Sequence, residues 1–241
     1  MYVRHVFALF LLAACAGSAL AQADTAQMGP FNADYQVLRN GKELGHATLS
    51  LRALENDTWE FTSQTHGTAG MASLLGLDIV EKSTFRWNAG KPQGLRYTYA
   101  QKAAIKSRST SIDFDWPAKS AVIRDNGKSI AITLDQPAMD RHLVTLALMA
   151  DLKSGATSLD YQVADKDKVA GQRYVQGSHE TVALAAGNID AIKVERDRGS
   201  QSKRMTTSWF APQRGFLPVQ IEQVEKKNGE TITMRLTTGQ R

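Results

Sequence analysis

The sequence predicts a mainly β protein: a single curved antiparallel sheet, or an incomplete β-barrel, with one central helix and a short helical flap. Asn-Gly pairs at residues 40–41, 126–127 and 228–229 each separate two runs that fit β-strands. Such pairs between alternating apolar and polar residues are typical of hairpins, and three of them favour an antiparallel meander. Helical spacing of apolar residues occurs in one long stretch, residues 135–155.

Residues 1–21 have the pattern of a secretory signal peptide. Arg4 precedes an apolar run over residues 6–14, and residues 19–21 form an A-x-A cleavage site. This site predicts a soluble mature chain that begins at Gln22. A second interpretation stays open, because residues 12–15 resemble a bacterial lipobox and would make Cys15 a lipidated anchor. We expect a periplasmic protein that is membrane-peripheral only if Cys15 is lipidated.

Residues 22–30 are predicted to be a flexible N-terminus, and residues 31–241 a single β-rich domain, because no linker or low-complexity tract divides them. Cys15 is the only cysteine, so a chain that begins at Gln22 has no disulfide and no thiolate. The 29 Lys and Arg residues are interspersed with 24 Asp and Glu residues. This mild basic excess indicates a solvated surface and argues against nucleic-acid binding.

The opening hairpin comprises alternating residues 31–37 and 46–53 around Asn40-Gly41. A two-residue turn would place Tyr35 opposite His46 and put the two apolar sets on opposite faces. We therefore predict a three-residue loop, residues 39–41, that places Tyr35 opposite Gly45. Nine further strands are predicted at residues 59–65, 79–87, 95–101, 109–116, 159–163, 173–175, 181–184, 189–196 and 205–210. Pro218 indicates an edge strand or a strand start.

The predicted helix over residues 135–155 has its apolar residues on one face. They are Met139, Leu143, Leu146, Ala147 and Ala150. Pro137 and Asp140 suit its first turn, and Lys153 and Gly155 suit its end. The helix is expected to cover the apolar concave face of the sheet. Residues 67–78 carry Met71, Leu74 and Leu75 between glycines and predict a mobile apolar flap or a short helix.

Motifs of the common enzyme classes are missing from the sequence: it has no phosphate-binding glycine loop, nucleophile elbow, HExxH or CxxC. The mature histidines lack metal-ligand spacing, and neither a metal nor a cofactor is expected. Asp113 and Asp115 share one strand face, and the apolar alternation around them places that face toward solvent. Alternation places Glu81 on the inward side, where a carboxylate needs a partner, water or a ligand, unless a bulge turns it outward.

Three places resemble the exported bacterial proteins of the domain of unknown function 3108 family. They are the hairpin with Tyr35, Gly41 and Gly45, the pair Asp140-Arg141 before a Leu-rich helix, and Trp209 with Leu217-Pro218-Val219. The resemblance covers residues 31–236 and implies no catalytic residues. The predicted architecture is also similar to that of periplasmic lipoprotein carriers, in which an open half-barrel surrounds a lipid pocket.

The expected function is therefore non-enzymatic binding of an apolar or lipid-like ligand of the cell envelope, with the flap at the mouth of the site. The candidate ligand-binding residues are Met71, Leu74, Leu75, Glu81, Trp87 and Leu143. One alternative is a structural or interaction module in envelope assembly. Another is a hydrolase of cell-wall or saccharide material that uses Asp113, Asp115 or Glu81.

Overall fold

The computed structural model of the protein describes residues 28–104 and 107–240. The predicted signal peptide, Cys15 and residues 22–27 of the predicted flexible N-terminus lie outside the described residues. Of the remaining three residues of that segment, Met28 is packed into the core, whereas Gly29 and Pro30 are exposed.

The described chain forms fifteen strands and two α-helices. The first part contains β1 Phe31–Arg39, β2 Lys42–Ala53, β3 Thr58–Gly67, α1 Gly70–Leu74, β4 Asp78–Asn88, β5 Lys91–Lys102, β6 Arg108–Asp115, β7 Ser120–Asp125 and β8 Lys128–Thr133. The second part contains β9 Met139–Asp140, α2 Val144–Ser154, β10 Leu159–Asp165, β11 Lys168–Leu184, β12 Gly187–Asp197, β13 Arg204–Ala211, a 3₁₀ turn Pro212–Arg214, β14 Leu217–Glu225 and β15 Glu230–Gln240.

All fifteen strands belong to one sheet. Their order is β8-β7-β6-β5-β4-β3-β2-β1-β15-β14-β13-β12-β11-β10-β9, so sequential strands are neighbours and β1 joins the two halves by pairing with β15. The pairs are antiparallel except for the short parallel pair of β9 with β10. The predicted antiparallel meander is confirmed.

The sheet curls without closing. Its two edge strands are β8 and β9, which follow each other in the chain with residues 134–138 between them. At about 3.5 Å per residue, this connection holds Thr133 and Met139 within roughly 20 Å of each other. The edges of a fifteen-stranded sheet can lie so close only if the sheet curves strongly. The predicted incomplete barrel is therefore confirmed.

Helix α2 lies inside the curled sheet. Its side chains share one core cluster with Tyr35 and Phe61 of the first half and with Val194 and Phe210 of the second half. All its residues are buried except Thr145 and the terminal residues 153–154. A helix that is buried all round fills a core rather than covering one face of it.

The predicted bounds of this helix are partly wrong. Residues 139–140 form β9, and the helix begins only at Val144. The reason is that the Asp140 carboxylate accepts hydrogen bonds from the backbone N–H groups of His142 and Leu143, which fixes a turn instead of a helical start. The predicted end is confirmed, because Gly155 adopts φ 72° as the left-handed C-cap.

The opening hairpin buries both apolar sets as predicted, but through a different turn. Asn40 and Gly41 form a two-residue turn with positive φ, and Arg39 pairs with Lys42. The extra residue lies further along β2 at Leu44, where the register shifts and places Tyr35 opposite Ala47. The predicted three-residue loop is wrong because a β-bulge two residues beyond the turn restores the same burial.

Two further differences concern β11 and the Asn228-Gly229 turn, whereas Pro218 agrees with its prediction. The predicted strands 173–175 and 181–184 are parts of one 17-residue strand, β11. The turn at Asn228-Gly229 spans four residues, because Glu225 pairs with Glu230. Pro218 is the second residue of β14, as predicted for a strand start, and the register of β13 with β14 shifts beside it.

The predicted flap contains α1, a helix of five residues beside β2 and β3. Two glycines face each other at this end of the strands, Gly45 of β2 and Gly67 of β3, and both allow close packing. A Cβ on Gly45 would lie 2.0 Å from the carbonyl oxygen of His66, and one on Gly67 would lie 2.7 Å from Cβ of Ala72. The backbone N–H of Ala104, just after β5, donates a hydrogen bond of 2.8 Å to the carbonyl oxygen of Leu75. This bond joins the flap to the end of β5.

Candidate functional site

A polar cluster lies where the chain enters α2, and Glu81 of β4 belongs to it. Oε1 of Glu81 accepts hydrogen bonds from Nη2 and Nε of Arg141, at 2.7 and 2.9 Å, and from the Tyr97 hydroxyl at 2.6 Å. The guanidinium of Arg141 lies 4.9 Å from the ring centroid of Tyr99. The inward carboxylate thus has the partner that its position requires.

The charges of this cluster are set by burial and by each other. Burial acts to raise the pKa of Glu81, but the charge of Arg141 and the hydrogen bonds from Arg141 and Tyr97 outweigh it and hold the pKa below its usual value. Burial and the adjacent carboxylate raise the pKa of Tyr97. At neutral pH the cluster therefore contains an ion pair, Glu81 with Arg141, and a neutral phenol.

Asp140 and Ser83 form the deeper part of the cluster, together with His142. Oδ1 of Asp140 accepts a hydrogen bond of 2.9 Å from the Ser83 hydroxyl, in addition to those from the two backbone N–H groups. Nδ1 of His142 lies 3.2 Å from Oγ of Ser83, and its ring stacks on Phe61 at 4.2 Å. These contacts attach the start of α2 to β3 and β4.

Burial moves the pKa values of the two ionisable groups in opposite directions. It raises the pKa of Asp140 to about 7, although its three hydrogen bonds act against the rise. It lowers the pKa of His142 to about 4, so the imidazole is neutral at neutral pH. The Ser83 hydroxyl donates to Asp140, which leaves its oxygen to accept from a protonated Nδ1 of His142.

Ser83, His142 and Asp140 are the residue types of a hydrolase triad, but their hydrogen bonds run in a different order. In a triad the histidine lies between the serine and the carboxylate. Here the serine lies between the other two, and it is completely buried. Oδ2 of Asp140 and Nε2 of His142 are buried with no hydrogen-bond partner among the described residues. The arrangement holds α2 in place and offers no reachable nucleophile.

A cleft of about 790 Å³ lies outside the core, between the flap and the ends of β5 and β6. Leu74, Leu75, Ala100, Ala103 and Ala104 form its apolar walls, and Lys102, Arg108 and Asn126 form much of its polar rim. Met71 and Leu74 of α1 are large apolar side chains that are 62% and 79% exposed. We call this region the flap cleft.

The residues predicted to bind a ligand fall into separate regions. The three flap residues are close together, with Leu74 and Leu75 in the wall of the flap cleft and Met71 on the same short helix. Glu81 lies in the polar cluster, and Leu143 is completely buried beside α2. Trp87 is half-buried and meets Phe85 edge to face at 5.2 Å. The structure brings the flap residues together and separates them from the other three.

The carboxylates considered for hydrolysis also lie apart. Asp113 forms ion pairs with Arg96 and Arg124 on the sheet surface. Asp115 is exposed and accepts a hydrogen bond from the backbone of Ala118. Within residues 28–104 and 107–240, no group of three or more His, Cys, Asp or Glu side chains could hold a metal ion.

Comparisons with known proteins agree with the fold and name a family. A family model described as "Protein of unknown function (DUF3108)" matches residues 31–237. The crystal structure of a beta-barrel-like protein of domain of unknown function DUF1849 from Brucella abortus superimposes with a TM-score of 0.58 at 9% identity. The match covers 89% of this chain and 98% of that chain. No curated protein matches the sequence.

Neither described helix is long and apolar enough to span a bilayer.

Proposed function

The chain belongs to the DUF3108 family, which carries no assigned activity, and we propose that it is an exported, non-enzymatic periplasmic protein that binds a lipid-like amphiphile of the cell envelope. The proposed site is the flap cleft. The observation that carries the proposal is the exposure of Met71 and Leu74 on a helix that borders an apolar cleft.

The interior of the sheet is a poor alternative site. Helix α2 occupies the concavity, and its residues Leu146, Ala147 and Met149 are completely buried against strands of both halves. A ligand there would have to displace close-packed side chains, which costs several kcal/mol. The flap cleft is open and needs no such displacement.

The flap provides a physical reason for binding. Complete burial of an exposed Leu or Met side chain is worth about 1.5–3 kcal/mol, because apolar surface leaves water. Met71 and Leu74 together with the walls of the cleft could cover an acyl chain. A volume of about 790 Å³ lies within the range of small-molecule sites.

The charges at the rim favour an anionic head group. Arg108 is paired with Asp125 at 3.3 Å, whereas Lys102 has no ion-pair partner among the described residues. In the part of its lining that the structure describes, the cleft thus carries one uncompensated positive charge beside its apolar walls. An anionic amphiphile satisfies both features.

The compartment is part of the proposal. The leader pattern of residues 1–21 supports export, and the envelope is where lipid-like amphiphiles are available to an exported protein. The buried position of Ser83 supports binding rather than hydrolysis, since a substrate has no access to its hydroxyl.

A titration with a dansyl-labelled fatty acid tests the site. We expect saturable binding whose affinity falls at least tenfold in the double variant Met71→Ser/Leu74→Ser. Lys102→Gln should lower the affinity for the anionic probe but not for its uncharged methyl ester. The matched control is Ile130→Ser, which removes an exposed apolar side chain from edge strand β8, outside the lining of the flap cleft. Equal affinity in wild type and the flap variant would overturn the proposal.

A second candidate is an interaction module that pairs with a partner protein through β8. This strand is an edge of the sheet, its side chains are mostly exposed, and Ile130 is 41% exposed. Such an edge can accept a further strand. A photo-crosslinking amino acid at position 130, expressed in cells, should then capture one protein in stoichiometric amount. Capture of none would remove this candidate.

A further inference from the structure

The end of β12 and the loop that follows it lie between two open hollows. The larger, of about 1030 Å³, is lined by polar groups that include Gln172, Arg173 and Ser202. The smaller, of about 300 Å³, is lined by Arg204 and Lys226 among others. Arg196 and Arg198 line both hollows. This region is distinct from the flap cleft, which involves β5 and β6 in the other half of the sheet.

Positive charge in this region exceeds the carboxylates that could neutralise it. Arg173 is paired with Asp160 at 2.9 Å, and Arg204 with Glu225 at 3.4 Å. Among the described residues, Arg196 and Arg198 have no ion pair. Asp197, which lies between them in the chain, accepts a hydrogen bond from the backbone N–H of Gly199. In the described part of the chain, neither arginine therefore has a carboxylate at ion-pair distance, although Asp165 acts on Arg198 from farther away.

The two guanidiniums are also unfavourably placed. Nε of Arg196 is buried and has no hydrogen-bond partner among the described residues. Partial burial and the charge of Arg196 lower the pKa of Arg198, and Arg204 acts in the same direction. An unsatisfied buried donor and neighbouring like charges both cost free energy, and an anion bound by the two guanidiniums would offset the repulsion.

We infer that Arg196 and Arg198 form a second binding site, for a phosphate-type oxyanion. The planar guanidinium offers pairs of N–H groups that match the oxygens of a phosphate group, and such hydrogen bonds are stronger than neutral ones. The anion can come from inorganic phosphate or from the head group of an anionic phospholipid.

Isothermal titration with inorganic phosphate, at constant ionic strength in sodium chloride, tests the site. We expect saturable binding that weakens at least tenfold in Arg196→Gln and in Arg198→Gln. The matched control is Arg86→Gln in β4. It removes one exposed arginine that has no ion pair among the described residues. Because Arg198 is exposed, its variant should fold normally, and Arg196→Lys serves if Arg196→Gln does not fold.

Flotation with vesicles distinguishes the two sources of the anion. Vesicles of phosphatidylcholine alone are compared with vesicles that contain one quarter phosphatidylglycerol. The site is supported if wild type binds phosphate in the titration, or binds the anionic vesicles but not those of phosphatidylcholine alone, and if both arginine variants lose this binding. If neither probe binds, or if the variants bind as well as wild type, the inference is wrong. The flap variant Met71→Ser/Leu74→Ser should retain phosphate binding, so failure of the flap cleft and failure of this site are separable.

Discussion

Nη2 of Arg141 lies 2.7 Å from Oε1 of Glu81, and this ion pair joins the segment before α2 to β4. The two residues are 60 positions apart in the chain. Their contact, together with the bond between Ser83 and Asp140, fixes the point where the central helix enters the curled sheet. The polar cluster is thus a structural feature that positions the core.

Glu81→Gln should destabilise the protein, because it leaves the Arg141 charge without its partner. Since both side chains are partly exposed, we expect a loss of about 1–3 kcal/mol in the free energy of unfolding, below the 3–5 kcal/mol of a fully buried pair. Urea unfolding at pH 7 measures it. Glu43→Gln, which changes an exposed glutamate, should stay within about 0.5 kcal/mol of wild type.

Asp140 should make the protein less stable as the pH rises. Its pKa is about 7 in the folded chain, against roughly 3.9 when unfolded. Between these values the unfolded chain has released a proton that the folded chain keeps, so the contribution of Asp140 to stability falls from about pH 4 to pH 7 and is fully lost above pH 7.

Asp140→Asn removes this dependence. Relative to wild type, the variant should gain on the order of 3 kcal/mol between pH 4 and pH 8 in urea unfolding. Asp57→Asn, in an exposed turn, provides the control and should leave the slope unchanged. A constant difference between wild type and Asp140→Asn across this range would show that Asp140 titrates normally.

His142 should act at the acid end. Burial lowers its pKa to about 4, whereas an unfolded histidine titrates near 6.5. Below pH 6.5 the unfolded chain therefore takes up a proton that the folded chain refuses, and up to ~3 kcal/mol of stability is lost by pH 4. His142→Gln should lack this loss, while His179→Gln, on the exposed part of β11, should keep it. Urea unfolding at pH 4.5 and pH 7 makes the comparison.

Leu143 and Leu74 should respond oppositely to truncation, although the sequence predicted a ligand-binding role for both. Leu143 is completely buried, so Leu143→Ala should cost about 2–5 kcal/mol through lost burial and a cavity. Leu74→Ala should change the free energy of unfolding by less than about 0.5 kcal/mol, because the side chain is exposed. Chemical unfolding of both variants tests this, and a large loss in Leu74→Ala would mean that the flap is packed in solution.

Gly45→Ala should disturb the end of β3 from which the flap begins. Its Cβ would meet the backbone oxygen of His66, which cannot move without breaking the pairing of β2 with β3. We expect a loss of more than about 2 kcal/mol and faster hydrogen exchange in α1. Gly171→Ala is the control, because the nearest atom to its Cβ is a side-chain nitrogen 3.6 Å away. Equal stability of the two variants would contradict the close approach at Gly45.

Local patterns were enough to predict the sheet. The Asn-Gly pairs and the alternation of residues such as Phe31, Ala33 and Tyr35 depend on neighbours in the chain, and they predicted the meander, the flap and the burial of the opening hairpin. The predicted turn of that hairpin was wrong because alternation fixes only which faces are buried. A bulge such as the one at Leu44 buries the same faces with Tyr35 opposite Ala47 instead of Gly45.

The polar cluster was missed because its members are distant in sequence. Ser83 and His142 are 59 positions apart, and neither lies in a motif. Glu81 was the available signal, since its inward position required a partner. The pair Asp140-Arg141 beside the helix was a second signal, but only the fold shows that Arg141 turns to Glu81 and Asp140 to Ser83.

Native mass spectrometry of protein purified from the periplasm tests the central claim most directly. For wild type we expect a bound species in the mass range of envelope lipids, identified after extraction as an anionic amphiphile. The folded variant Met71→Ser/Leu74→Ser should be isolated without it, while Ile130→Ser should carry it. Wild-type protein that is reproducibly empty, or a ligand that the flap variant retains in full, would contradict binding in the flap cleft.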